Sequence, residues 1–398
     1  MKTVAVVTTA LAVATLILFA IPAKYPADAA PAVKPASSTV SAGGTEGVLG
    51  VSLKNEVDAA IGRGLEWLVA QQKEDGSWSN TSFPALTALP LRALAQSPQA
   101  RKNPATAKAV KYILSCVQKD GGIYKSVPGH KGGGLSNYNT AICMSALNAV
   151  GDKSLDRTIL NARTFIASAQ YQGADVYKGG FGYDKATKRA YTDLLNTYYS
   201  VEAMVETAKK EDLRPKTEKR ADIDWNDTVK YIARMQNKPE AGKEDAWGFF
   251  YKPGQSKAGT TTNEAGVVVF RSYGSMTYVG MLALIHANVS RDDVRVQSAF
   301  DWSSRHWSLK ENPGMGPQGL YFFYNVLTKS LSAYGQDMVP LPDGSLVNWR
   351  VEVAKTLVAN QKIDPKTGHG YWINESGRFW ENDSVLVTAY ALLALELL

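Results

Sequence analysis

The sequence predicts an all-α protein in which about six helix pairs close into an (α/α)6 toroid. Three observations lead to this prediction. An amphipathic helix, a turn with glycine and an aromatic residue, and an apolar helix recur in that order, the apolar helices lack a polar face, and strands are barely signalled. Because a helix without a polar face must be buried on every side, the apolar helices should form an inner ring inside the amphipathic ones.

The first pair sets the pattern. RGLEWLVAQQKEDGSW (63–78) is an amphipathic helix with its turn, and FPALTALPLRALAQ (83–96) is its apolar partner. The later amphipathic helices and turns occupy 112–124, 165–184, 231–251, 300–324 and 357–372, and the apolar helices occupy 139–151, 193–208, 275–289, 326–335 and 384–398. The chain stops on the apolar ALLALELL, so the last pair is expected to pack on the first rather than face solvent.

A glutamine ends five of the six amphipathic helices, and Trp307 takes its place in the fifth pair. The five are Gln72, Gln118, Gln170, Gln236 and Gln361. We expect each glutamine side chain to hydrogen-bond the end of a neighbouring helix and the following glycine to permit a tight turn. The one β-branched run, 264–274, predicts either a short extended segment or the first turn of the fourth apolar helix.

Composition limits the chemistry. Of 398 residues, 45% are hydrophobic and 20% charged, which supports a sizeable core. The net charge of +7 is spread along the chain, so no nucleic-acid partner is expected. With two cysteines and four histidines we expect neither a metal site nor a cofactor. Cys116 and Cys143 could form a disulfide or remain buried thiols.

The N-terminus has the features of an export signal. Lys2 precedes the apolar run Val4–Ala23, and Ala27-Asp28-Ala29 is an A-x-A cleavage pattern. The run could instead remain as a membrane anchor, which would be the protein's one membrane contact. Either way an extracytoplasmic protein, periplasmic or secreted, is predicted. Residues 1–29 are assigned as the signal peptide, 30–55 as a flexible tether and 56–398 as the toroid domain.

The first repeat resembles the QW-type repeat of the terpenoid cyclase and protein prenyltransferase superfamily. Arg63-Gly64, Trp67-Leu68, Gln72 and Gly76-x-Trp78 fall at the spacing of that pattern. The other repeats depart from it, with GGIY, GGFGY, WGFF, GLYFFY and GHGYW in place of G-x-W. The resemblance, greatest to squalene-hopene-type cyclases, covers roughly residues 56–398. It implies a single α/α toroid with a central cavity.

The catalytic motifs of these families are incomplete here. Squalene-hopene-type cyclases protonate an alkene with Asp-x-Asp-Asp, and the nearest string is Asp222-Ile223-Asp224-Trp225, which we interpret as acids at the start of an outer helix. Protein prenyltransferases hold zinc with Asp, Cys and His, but Cys143 has no Asp-x-Cys pattern beside it. The Cys-Gly-Glu-Gln string of complement-type thioester domains is absent. Whether the protein is an enzyme is therefore left open.

Candidate site residues lie at the starts of the inner helices, where the mouth of a toroid cavity is expected. The catalytic candidates are Asp193, Glu381 and Asp383, and the ligand-binding candidates are Tyr138, Tyr191, Tyr273, Tyr321 and Trp380. Capping of the helices is the competing interpretation for the acids, and it is least compelling for Asp193, which leads a helix with few other charges. The aromatic residues that recur in each turn could line the cavity or pack between helix pairs. The Gly-rich HKGGGLSN (130–137) is interpreted as a flexible loop near the mouth.

Three functions fit these features. The first is an exported toroid that binds an apolar ligand or a protein partner without the family's full catalytic motifs. The second is a divergent terpenoid cyclase, an isomerase, that uses an inner-helix aspartate as its acid. The third is an extracytoplasmic carbohydrate-active (α/α)6 enzyme with two carboxylates flanking a cleft, such as Asp193 with Glu381 or Asp383.

Overall fold

The computed structural model describes residues 49–126, 134–185 and 191–398. The signal segment 1–29, the tether up to residue 48 and the glycines at 132–133 lie outside these residues. Within them, every helix is too short or too polar to cross a membrane.

Twelve α-helices of the described chain alternate between an outer and an inner layer. The outer helices are α1 (Val51–Ala70), α3 (Pro104–Ser115), α5 (Asp156–Ala169), α7 (Trp225–Arg234), α9 (Val294–Arg305) and α11 (Trp349–Asn360). The inner helices are α2 (Ala85–Gln96), α4 (Ser136–Val150), α6 (Leu194–Glu206), α8 (Gly274–His286), α10 (Leu320–Tyr334) and α12 (Ser384–Leu395).

The inner helices form a closed ring. Each contacts the next, from α2 through α4, α6, α8 and α10 to α12, and α12 packs back on α2. Helix α1 likewise packs on α11 and α12. The predicted (α/α)6 toroid is therefore confirmed.

Burial differs between the layers as the sequence pattern requires. In α7 the buried positions include Trp225, Thr228, Tyr231 and Ile232, which share one face. In α8 every residue from Gly274 to Leu284 is buried. The inner helices therefore supply most of the core, and the outer helices shield it with one face each.

Three short antiparallel hairpins lie in the connections. They pair β1 (Thr260–Thr262) with β2 (Val268–Phe270), β3 (Met338–Pro340) with β4 (Leu346–Asn348), and β5 (Lys362–Ile363) with β6 (Gly370–Tyr371). The extended alternative for 264–274 is thus confirmed, since α8 begins only at Gly274. All six outer helices begin earlier than the segments identified from the sequence, and α1 begins at Val51, inside the stretch 30–55 assigned to the tether. Among the inner helices the largest difference is at α10, which begins at Leu320 rather than 326.

Four of the five glutamines bind the neighbouring outer helix. The side-chain Nε2 atoms of Gln72, Gln170, Gln236 and Gln361 donate to the carbonyls of Ala105 (2.8 Å), Asp224 (2.9 Å), Arg295 (2.8 Å) and Ala60 (2.8 Å), respectively. Gln361 also accepts from both Nε (2.9 Å) and Nη2 (2.7 Å) of Arg63. This last set joins the sixth repeat to the first. Gln118 departs from the pattern, because its amide bonds only Cys116 and Tyr124 in its own turn.

The turns also need glycine and tryptophan for steric reasons. Gly179 has φ +87°, and a Cβ there would lie 2.1 Å from the carbonyl oxygen of Asp227 on the next outer helix. Trp78 is fully buried, and its Nε1 donates to the carbonyl of Leu68 at 2.7 Å. Trp372 makes the same contact with Leu357 at 2.8 Å. Both indoles are therefore buried against the outer helix of their own repeat and do not line the cavity described below.

The two cysteines are free thiols, both buried. Of the two arrangements left open by the sequence, buried thiols are the one found.

Ring closure predicts unequal effects for two glutamine variants. Gln361→Ala removes the bond to α1 and the partner of Arg63, so the free energy of unfolding should fall by about 2–3 kcal/mol. Gln118→Ala, the matched control, removes bonds within one turn and should lower it by about 1 kcal/mol. Urea denaturation of both variants measures the difference. Equal losses would contradict closure through Gln361.

Candidate functional site

The first turns of the inner helices and the loops before them surround one cavity of about 410 Å³. This volume lies in the range of small-molecule sites. Most of its wall is aliphatic or aromatic, formed by Phe83, Leu86, Leu135, Tyr138, Tyr183, Leu195, Tyr199, Tyr251, Tyr273, Met276, Phe322, Phe379, Trp380, Leu386 and Tyr390. The rest is Lys257, Ser275, Asn312 and Gly319.

The aromatic side chains form a continuous wall. The ring of Tyr138 lies 5.7 Å from that of Tyr183 and meets Tyr199 edge-on at 5.5 Å. Phe322 extends the wall, with its ring 6.4 Å from that of Tyr199 and 5.7 Å from that of Tyr390. Burial raises the pKa of Tyr138 to about 12, so this phenol is neutral at physiological pH. The wall thus offers apolar faces with a few neutral hydroxyls.

Three of the five predicted ligand-binding residues line this cavity: Tyr138, Tyr273 and Trp380. Tyr191 instead points to solvent, 42% exposed, with the Lys252 ammonium over its ring. Tyr321 is buried edge-on against Tyr324. The earlier start of α10 explains this correction, because it turns Phe322 rather than Tyr321 toward the cavity.

Asp193 is a buried helix cap directly behind the cavity wall. One carboxylate oxygen accepts from the Asn196 backbone N–H at 2.9 Å and the other from the Asn196 side-chain amide at 2.8 Å. Burial raises the pKa of Asp193 to about 6, against hydrogen bonding from Asn196 and Tyr251. Three wall residues, Tyr183, Tyr251 and Tyr273, have raised pKa values. Burial is the largest cause in each, and the negative charge of Asp193 is the second largest. The carboxylate is therefore close to the cavity but does not line it.

The other two acids are also used as caps. Glu381 is fully buried and accepts from the backbone N–H groups of Phe322 (2.8 Å) and Tyr321 (3.3 Å) at the start of α10. Burial raises the pKa of Glu381, although these hydrogen bonds and one from Asn374 oppose the shift. Asp383 caps its own helix by accepting from Val385 N–H at 3.0 Å. For both Glu381 and Asp383, these contacts match the competing interpretation that the acids cap helices.

The outer-helix interpretation of the 222–225 string is confirmed. Asp224 is the N-cap of α7 and accepts from the Asp227 N–H at 2.9 Å. Asp222 accepts from the Trp225 indole N–H at 2.9 Å. Neither acid lines the cavity.

Several wall residues were missed from the sequence, among them Phe83, Tyr199, Lys257, Phe322, Phe379 and Tyr390. A usable signal was present for some of them. Leu195 with Tyr199, and Leu386 with Tyr390, are four residues apart in the first turns of inner helices, a spacing that places both side chains on one face.

Backbone strain is concentrated at the cavity. Among the described residues, six non-glycine residues have positive φ, and three of these line the cavity: Leu135 (59°), Phe379 (61°) and Trp380 (66°). Phe379 and Trp380 are consecutive, and both are nearly half exposed. Such strain costs about 1–3 kcal/mol per residue and is typically found at ligand-binding sites.

No family model and no curated protein matches the chain. Solved structures match it in fold. An alpha-1,6-mannanase from Salegentibacter sp. is 10% identical, with 87% of this chain and 98% of that chain covered and a TM-score of 0.53. Two structures of variants of the type II terpene cyclase MstE from Scytonema, one with the product merosterolic acid A and one with the substrate geranylgeranyl dihydroxybenzoate, both have TM-scores of 0.51. The sequence of the product complex is 13% identical to this chain, and the match covers 86% of this chain and 97% of that chain. For the substrate complex the identity is 12%, and the match covers 87% of this chain and 97% of that chain.

These structural similarities show that the chain shares the fold of the mannanase and of the cyclase. The α/α toroid expected from the resemblance to terpenoid cyclases is thus confirmed at the level of architecture.

The environment of Asp193 predicts a pH-dependent effect of Asp193→Asn. The folded pKa of about 6 exceeds the reference value of 3.8, so the stability that this proton contributes is fully present below about pH 4 and is lost as the pH rises through 6. Asparagine does not titrate. Relative to the wild type, the variant should therefore gain about 2–3 kcal/mol of unfolding free energy between pH 4 and pH 7.

The introduced amide can keep the cap, because the Asn196 Oδ1 is buried and unpartnered and can accept from it after a side-chain flip. Urea denaturation at several pH values measures the difference. Asp224→Asn, at the exposed cap of α7, controls for loss of a charge at a helix start. A difference that is constant with pH would contradict the raised pKa.

Proposed function

We propose that this protein binds an apolar, isoprenoid-like molecule in its central cavity. The observation that supports this most directly is the chemistry of the wall: six inner-helix starts contribute aliphatic and aromatic side chains, and the described wall contains no carboxylate. The sequence segments 127–133 and 186–190, outside the described residues, contain no Asp or Glu either. An apolar molecule gains about 25 cal/mol for each Å² that it buries on such a wall.

The strained aromatic pair Phe379–Trp380 supports the proposal independently, since a fold tolerates such backbone strain most often where a ligand is held. The MstE cyclase of the same fold holds geranylgeranyl dihydroxybenzoate, an isoprenoid, in its solved structure. A ligand of that general class suits the aromatic cavity described above.

A carbohydrate-active role fits less well. The mannanase has the same fold, but hydrolysis of a glycosidic bond ordinarily needs two carboxyl groups facing a cleft. The three candidate acids are engaged as helix caps and do not line the cavity. The apolar ligand is therefore preferred.

Catalysis by Asp193 is the second candidate function. Its burial, its pKa of about 6 and its position behind Tyr251 favour it, because a neutral carboxylic acid could deliver a proton toward the cavity through that phenol. Incubation with squalene and shorter polyprenes, with analysis of the products, decides the matter. Cyclised products that disappear in Asp193→Asn would establish the cyclase, and no turnover by the wild type would reject it.

Filling the cavity should abolish binding. Leu195→Trp puts an indole into the cavity, so the affinity for farnesol, measured by calorimetry, should fall at least about tenfold. Val294→Trp, at an exposed site on outer helix α9, is the matched control and should bind as the wild type does. The proposal fails if the wild type binds neither farnesol nor its monophosphate, or if Leu195→Trp binds as tightly as the wild type.

We also infer that the chain is exported, on the strength of the charged start, apolar run and A-x-A pattern of residues 1–29. N-terminal sequencing of protein recovered from outside the cytoplasm should begin at Ala30. A chain that still begins at Met1 would favour the uncleaved anchor.

A further inference from the structure

One cationic side chain lines the cavity and two others follow or precede wall residues in the chain, and each of the three lies over an aromatic ring. The Lys257 ammonium, which lines the cavity, lies 4.5 Å from the ring centre of Tyr251. The Arg378 guanidinium lies 4.8 Å from that of Phe379, and the Lys252 ammonium lies 3.8 Å from that of Tyr191. Stacking on a ring holds a cation in place and leaves its N–H donors available.

None of these cations has an ion-pair partner among the described residues. Four carboxylates beside the cavity wall bind N–H groups at helix starts: Asp184 that of Ser136, Asp193 that of Asn196, Glu381 that of Phe322 and Asp383 that of Val385. Arg378 contacts the side-chain oxygen of Gln318, a neutral group. Cationic N–H donors of Lys257 and Arg378 therefore remain beside the cavity without an ion-pair partner among the described residues.

All six inner helices place their N-terminal turns at this end of the ring. Carboxylates bind N–H groups at the starts of α4, α6, α10 and α12, so the partial positive charge of a helix N-terminus is left uncompensated by a carboxylate only at α2 and α8 among these described helices. The wall behind the mouth is aliphatic and aromatic. The site thus combines an apolar interior with a cationic rim.

We propose that the cavity takes a single-chain amphiphile with an anionic head group, a carboxylate or a phosphate, which lies between Lys257 and Arg378 while the chain lies against the aromatic wall. This inference rests on the proposed function and names the ligand class for the same cavity. The cavity volume of about 410 Å³ lies in the range of small-molecule sites.

Three amphiphiles that share a dodecyl chain and differ in the head group test the proposal. Calorimetry with the wild type, below the critical micelle concentrations, compares dodecanoate, dodecanol and dodecyltrimethylammonium. Dodecanoate should bind roughly five- to tenfold more tightly than dodecanol, the effect expected of one or two solvent-accessible charge pairs. The cationic homologue should bind most weakly. Raising the salt concentration should narrow these differences, because exposed charges are screened.

Variants assign the preference to the two cations. In the double variant Lys257→Met/Arg378→Gln, dodecanoate should bind no better than dodecanol. Lys111→Met, on the exposed face of outer helix α3, is the matched control and should keep the wild-type preference. Farnesyl monophosphate compared with farnesol extends the test to phosphate, and a preference for either anion over its alcohol supports the proposal.

The outcomes separate the two proposals. If the wild type binds dodecanol and farnesol as tightly as their anionic counterparts, or if the double variant keeps the preference for anions, the anionic head group is rejected and the apolar cavity stands. If no member of either series binds, the proposed function is rejected together with this inference.

Discussion

The absence of a polar face on the inner helices is the constraint from which the rest of the architecture follows. Helices such as α8 and α12 are buried at nearly every position of their sequence, and an open row of helix pairs would leave two of its inner helices exposed at its ends. Packing of α12 on α2 removes both ends at once. In the outer layer, glutamines link four of the six pairs of neighbouring helices, and the bond from Gln361 to Ala60 joins α11 to α1. Closure also brings six helix starts, distant in sequence, to one end of the ring.

The two ends of the inner ring consequently differ in character. Toward the helix starts lies the apolar cavity, whose neighbouring carboxylates satisfy helix N–H groups. Farther along the helices lies a buried charged cluster in which Arg92 pairs with Glu206 at 2.6 Å and Lys329 with Glu202 at 2.8 Å. These pairs link α2, α6 and α10 across the ring. Each of these charges is paired, and a buried charge without a partner would be destabilising.

The sequence predicted the architecture because repetition and helical periodicity are local signals. The apolar helices and the glutamine positions could be identified in this way, whereas the extended conformation within 264–274 was one of two alternatives that the sequence left open. The site was only partly accessible. Which of Tyr321 and Phe322 faces the cavity depends on where α10 begins, and a shift of one residue turns a helical side chain by about 100°. That Glu381 caps α10 rather than its own helix is a contact between two repeats, which no pattern within one repeat reveals.

The central claim is that ring closure creates an apolar ligand site at the starts of the inner helices. Photo-crosslinking with a diazirine derivative of farnesol, followed by peptide mapping, tests it most directly. The account predicts labels on segments far apart in sequence that meet only in the closed ring, such as 83–86, 195–199, 319–322 and 379–390. Labels confined to the outer helices, or to the groove formed by α1 and His369, would contradict it.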